Sequence, residues 1–121
     1  MAETRDHAAQ AAPITPFCPN FHRAIEIVGR RWTGAIIRTL LADKHHFSDI
    51  CKTVPGLSDR LLSERLKELE LEGIVTRTVI PETPVRVEYS LTEKGASLAD
   101  AVRSMSEWAE HWAVADTSHL A

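Results

Sequence analysis

A mainly α-helical domain with a single β-hairpin follows from three features of these 121 residues. Apolar side chains recur at helical spacing over most of the chain. Two short β-branched runs flank a Pro-containing loop, and the helical stretches are bounded by capping and turn residues. The length suits one compact domain with short tails.

Residues 1–17, rich in alanine and polar groups and carrying Pro13 and Pro16, show no sustained period and read as a flexible arm. From Asn20 the pattern turns helical: Phe21, Ala24, Ile25 and Val28 recur at offsets of three and four, up to a stop at Gly29. A second helix is expected after Trp32, with Thr33 as its cap and Ile36, Ile37, Leu40 and Leu41 as its apolar face. A short third helix is expected over Ser48 to Val54, capped by Ser48 and closed by Pro55-Gly56.

The fourth helix carries the clearest signals. Ser58 is its N-cap, Asp59 suits the positive end of the helix dipole, and Gly73 stands where a C′ glycine belongs. Leu62, Leu66 and Leu69 form a buried stripe with Leu61 beside it, and Arg65 lies close enough to that stripe for an intramolecular salt bridge. At about 100° per residue, Arg60, Ser63, Glu64 and Lys67 fall on the opposite face, free to meet a partner.

Residues 74–80 and 85–91 then read as two strands joined through Pro81 to Pro84. Thr92 caps a final helix in which Leu98, Val102, Met105, Ala109 and Trp112 are spaced 4-3-4-3, with Trp108 at the seam's edge. That seam, too apolar to stay exposed on so small a domain, is expected to form a dimer interface rather than to pack on its own core. Residues 18–113 form the domain and 114–121 a short tail.

A short helix, the tight turn Pro55-Gly-Leu-Ser58, a longer helix with a polar outer face and a hairpin form a winged helix-turn-helix, here with flanking dimerisation helices. The net charge of −3 is uneven. Residues 20–67 hold nine basic against five acidic side chains, and the remainder five against twelve. Basic groups therefore gather where phosphate would be met.

Other classes find little support. No apolar run approaches the roughly 20 residues of a membrane span. The N-terminus carries acids and lacks a secretory apolar stretch, so a cytoplasmic location is expected. Two cysteines are too few for a disulfide scaffold. Gly-rich phosphate loops, paired carboxylates and nucleophile–base motifs are missing, so the chain reads as no enzyme and needs no cofactor. Cys18 and His22, with Cys51 or the His45-His46 pair, make no complete metal-ligand set, and no metal is expected.

Over about residues 18–112 the chain resembles HxlR-type winged-helix regulators. The matching stretches are Cys18-Pro19, Gly29-Arg-Arg-Trp-Thr33, Phe47-Ser-Asp-Ile50, Pro55-Gly-Leu-Ser58, Leu62-Ser-Glu-Arg-Leu-Lys-Glu-Leu69, Gly73-Ile-Val-Thr-Arg77 and Val87-Glu-Tyr-Ser-Leu-Thr-Glu-Lys-Gly95. The resemblance implies a dimeric DNA-binding transcription regulator, here expected to act as a repressor. It also implies a cysteine near the start of the first helix that responds to electrophiles or oxidants. The family often has glutamine where this chain has Glu64, a change that bears on sequence preference rather than on DNA binding.

The expected partner is double-stranded DNA. Ser58, Arg60, Ser63, Glu64 and Lys67 would enter the major groove, Arg60 suiting guanine and Glu64 a cytosine amino group. Arg77 and Arg86 on the wing would anchor register through phosphate or minor groove, unless an acid such as Glu88 takes them up. Arg30, Arg31 and Thr33 are placed for phosphate contacts at the second helix. A homodimer, joined by Phe21 and Ile25 of the first helix with Leu98, Val102, Met105, Trp108 and Trp112 of the last, would read two half-sites about 34–36 Å apart, or a multiple of that, in an inverted repeat.

Cys18 is the expected thiol sensor. Helix N-terminal partial charge with nearby His22 and Arg23 favours its thiolate. Cys51, expected to be more buried, is a candidate partner for an intersubunit disulfide with Cys18. Two alternatives stand beside this reading. One is a winged-helix protein-interaction module without DNA; the other is a regulator of the same kind answering to a small-molecule or metal ligand.

Overall fold

The computed structural model describes residues 13–113, so residues 1–12 of the arm expected over 1–17 and the whole tail over 114–121 lie outside the described residues. The elements run α1 (Pro19–Val28), α2 (Thr33–Leu41), α3 (Phe47–Thr53), α4 (Asp59–Leu71), β1 (Val75–Ile80), β2 (Arg86–Leu91), α5 (Glu93–Ala96) and α6 (Ala99–Ala113). The order is that of a winged helix-turn-helix.

Local chemistry explains most boundaries. Pro19 opens α1, where its missing N–H costs no helical bond. The Ser58 hydroxyl accepts from the Leu61 amide at 3.1 Å, capping α4, and Gly73 follows the last turn at φ +76°. The helix-turn-helix corner needs Gly56 at φ +84°, and a side chain there would crowd the Trp32 ring.

Three expected caps differ. Trp32, in the left-handed conformation at φ 78°, precedes α2, so Thr33 is its first helical residue and not its cap. The third helix starts at Phe47 after an uncapped His46, one residue before the expected Ser48. Thr92 does accept from the Gly95 amide at 3.1 Å, but it caps only the four-residue α5. The chain breaks at Ser97 and Leu98 before α6 begins, so the single final helix of the sequence reading is two.

The core draws on every central element. Ile36, Ile37 and Leu40 of α2 meet Ile50 of α3, and Leu62, Leu66 and Leu69 of α4 close over them; Val54, Leu57, Ile74, Val75 and Tyr89 complete the cluster. Each of these aliphatic side chains, removed from water, stabilises the fold by about 1.5–3 kcal/mol.

The hairpin is antiparallel, with Val75 opposite Leu91 and Ile80 opposite Arg86. On its other edge β2 meets His45-His46: the Tyr89 amide donates to the His45 carbonyl at 2.8 Å, and a single bridge joins His46 to Glu88. The segment leading into α3 thus braces the wing against the helix-turn-helix. Among the described residues no helix is long and apolar enough to cross a membrane.

Candidate nucleic-acid interface

Helix α4 separates its two faces as its sequence demands. Leu62, Leu66 and Leu69 are buried, while Arg60, Ser63, Glu64 and Lys67 are exposed on the other side with Ser58 at the helix start. Arg60 is 88% exposed, yet its Nε donates to Glu64 Oε2 at 3.3 Å. Unlike these, Arg65 is only 12% exposed. Its Nε donates to the Arg31 carbonyl at 2.9 Å and its Nη1 reaches Glu68 at 3.3 Å. Arg65 is the intramolecular tie its position suggested, and it fixes α4 to the turn before α2.

Ion pairs redistribute the basic groups counted in the sequence. Arg23 of α1 pairs with Glu72, and Arg30 with Glu68 at 3.3 Å. Glu68 near the end of α4 and Glu72 just past it are therefore met by arginines from α1, its following turn and α4 itself. Arg30 is correspondingly engaged by Glu68 rather than left for phosphate alone. Among the described residues Arg31, Lys44, Lys52, Lys67 and Arg77 have no carboxylate in salt-bridge range. Arg31 stands exposed with its guanidinium 5.0 Å from the centre of the Trp32 ring.

Thr33 corrects an expectation. It is 2% exposed and turned into the cleft between α1 and α4, beside Ile27 and Leu69, so it reaches no phosphate. Its spacing of three, four and seven to Ile36, Ile37 and Leu40 places it on the buried face of α2.

The two wing arginines differ. Arg77 lies opposite Tyr89 and Arg86 opposite Ile80, so pleat alternation sends them to opposite faces of the hairpin. Arg77 is exposed, whereas Arg86 is held by Glu82 at 3.3 Å and Glu88 at 3.8 Å. Glu88 also takes His46 at 3.2 Å, and His46 lies 3.6 Å from Asp49. The acid-paired alternative is the one Arg86 adopts. Among the described residues no group of three or more His, Cys, Asp or Glu side chains is placed to hold a metal.

A profile of the HxlR-like helix-turn-helix family matches residues 27–117. The chain belongs to the HxlR family. It is 55% identical over 95 residues to the uncharacterized HTH-type transcriptional regulator YvaP of Bacillus subtilis, a match covering 78% of this chain and 88% of that protein. The structure of the reduced form of YodB, a transcriptional regulator of the same organism, superposes with TM-score 0.69 at 45% identity, over 79% of this chain and 94% of that one. The redox regulator HypR in its oxidized form superposes with TM-score 0.71 at 36% identity, over 78% and 96%. Structures of YodB are also known after diamide treatment and with quinone bound. This HxlR family member is accordingly a DNA-binding transcriptional regulator and not an enzyme.

Its two thiols occupy different settings. Both are half-buried and free. Cys18 precedes α1 as its N-cap residue, at an apolar recess shared with Ile14, Phe17, Phe21 and Ile25. The basic neighbours expected to favour its thiolate have other partners: Arg23 pairs with Glu72, and His22 lies 3.6 Å from Glu26. Cys51, packed against the core from α3, donates to Asp59 Oδ1 at 3.0 Å and to the Leu57 carbonyl at 3.3 Å. The hydrogen bond to Asp59, then burial, then the carboxylate's charge push its thiol above the ordinary thiol range. Nothing in the sequence pattern linked Cys51 to Asp59, because the contact crosses the helix-turn-helix corner.

The outer helices leave a large apolar surface. Neither α1 nor α6 buries any residue completely. Phe21 and Ile25 on α1, and Met105, Trp108 and Trp112 on α6, are all exposed. Leu98 and Val102, expected in the same interface, instead pack against the domain's own core. They share a face with Ser106, which accepts from Arg38 of α2 at 2.7 Å, so this side of α6 is turned inward.

Proposed function

We propose that this regulator grips an inverted-repeat operator as a homodimer and represses from it, with Cys18 as the thiol through which an oxidant or electrophile releases the DNA. The observation that carries this reading is the groove face of α4: Arg60, Ser63, Glu64 and Lys67 exposed on a capped, anchored helix. Arg31 and Arg77 add cations without carboxylate partners among the described residues, suited to phosphate. Phe21, Ile25, Met105, Trp108 and Trp112 form the proposed contact between two copies, since that much apolar surface favours a partner.

Cys18 is coupled to this contact by position. It precedes α1 by one residue, and its recess is walled by Phe21 and Ile25, so an adduct there presses on the same helix face that joins the copies. The apolar lining suits a small, largely apolar electrophile. The relatives support this chemistry, one being a redox regulator and another having been crystallised with quinone bound. Cys51, held as a protonated donor by Asp59, is the poorer nucleophile. That argues against it as a second sensor or as the partner in an intersubunit disulfide.

A gel shift with the DNA upstream of the gene, run at several salt concentrations, tests the reading. A retarded complex whose affinity falls steeply with salt is expected, and diamide should release it from wild type and from Cys51→Ser but not from Cys18→Ser. If Cys18→Ser released DNA as wild type does, the sensing role would be excluded. If no shift formed with any upstream fragment, the operator reading would fail.

A further inference from the structure

Resting on the reading of α4 as the groove-entering helix, we propose that Arg60 and Glu64 act as one unit that reads a single G·C base pair. The two side chains stand one turn apart and are joined through Arg60 Nε and Glu64 Oε2 at 3.3 Å. That bond engages the inner nitrogen of the guanidinium. Both terminal nitrogens of Arg60 remain as a fork of donors, with a carboxylate acceptor beside it.

In the major groove a G·C pair presents guanine N7 and O6, two acceptors, followed by the cytosine N4 amino donor. Two donors and an acceptor on the protein are the complement of that edge. Every other pair fails somewhere. Adenine sets its N6 donor against the guanidinium, thymine sets its O4 acceptor against the carboxylate, and an inverted C·G pair reverses the order.

Glu64 is held in place for this task. Its other oxygen lies 3.9 Å from Nη1 of Arg65, which is itself anchored to the Arg31 carbonyl and Glu68. Asp59, the carboxylate preceding Arg60, accepts from the Cys51 thiol at 3.0 Å, and among the described residues the ion pair of Arg60 is with Glu64. A carboxylate facing DNA repels phosphate, so Glu64 also lowers affinity for sequences that offer no amino group to it.

Selection from a randomised duplex library by full-length protein, at one fixed salt concentration, tests the unit. Wild type should enrich a G·C pair in each half-site. Arg60→Ala and Glu64→Gln should each lower the preference at that same pair by about tenfold, and the double variant should lose no more than the worse single. Replacing the selected guanine with 7-deazaguanine should weaken wild-type binding about tenfold without altering the protein. The proposal is overturned if Glu64→Gln leaves the motif unchanged, or if the two variants alter different base pairs additively. It also falls if wild type retains no DNA at all, and that result, unlike the other two, removes the groove-facing reading of α4 with it.

Discussion

The centre of the molecule and its two outer helices treat apolar side chains in opposite ways. Between α2 and β2, the leucines and isoleucines interlock until several are almost wholly removed from water. On α1 and α6 no residue is fully buried, and the large side chains point outward, Phe21 at 66% and Trp112 at 68% exposed. The centre holds itself together, whereas the flank carries apolar surface that gains stability only against a partner. On the proposed reading folding and assembly fall to different parts of the chain, with Leu98 and Val102 tying the last helix to the centre and leaving its outer side free.

Truncation should separate the two regions most sharply in the centre. Leu66→Ala is expected to lower the unfolding free energy by about 2–5 kcal/mol in a urea titration, because the cavity lies among packed neighbours. Trp112→Glu should leave the urea transition of the isolated chain almost unchanged. In the same variant, operator affinity should drop by about a hundredfold or more, since a single half-site remains to each copy.

The wing gives a smaller contrast within the proposed DNA-contacting surface. Arg77→Ala should reduce the slope of log affinity against log salt by about 1, the signature of one lost phosphate contact. Arg86→Ala should change the slope less, because Glu82 and Glu88 already neutralise that side chain. Ser58→Ala is expected to have a modest effect. Loss of its bond to the Leu61 amide should cost about 1 kcal/mol of stability, read by thermal or urea unfolding.

Local signals made α4 and the hairpin legible in the sequence. Ser58, Gly73 and the Leu62–Leu66–Leu69 stripe act within a few residues of one another, and the β-branched runs flank their own turn. The left-handed backbone at Trp32, which makes Thr33 the first residue of α2, leaves no local signal, whereas the burial of Thr33 follows from its spacing of three, four and seven to Ile36, Ile37 and Leu40. Thr92 was read correctly as a cap, but the break at Ser97 and Leu98 that splits the final helix lay inside a continuous apolar period.

The charged groups of the candidate site were legible only in part. The exposed face of α4 follows from helical angles alone, and so does the placement of Arg65 near the stripe. The pairing of Arg23 with Glu72 spans 49 residues and leaves no trace in any local pattern. The opposite faces of Arg77 and Arg86 depend on a hairpin register that the Pro-containing loop does not dictate. The bracing of β2 by His45-His46 involves two residues, too few to carry a period.

Sedimentation equilibrium of the full-length reduced protein, alone and with an inverted-repeat duplex, tests the division of labour most directly. The account predicts a free species of twice the 13.5 kDa chain mass and two chains on each duplex. A 13.5 kDa species that stays single at micromolar concentration and binds the duplex one chain at a time would contradict it.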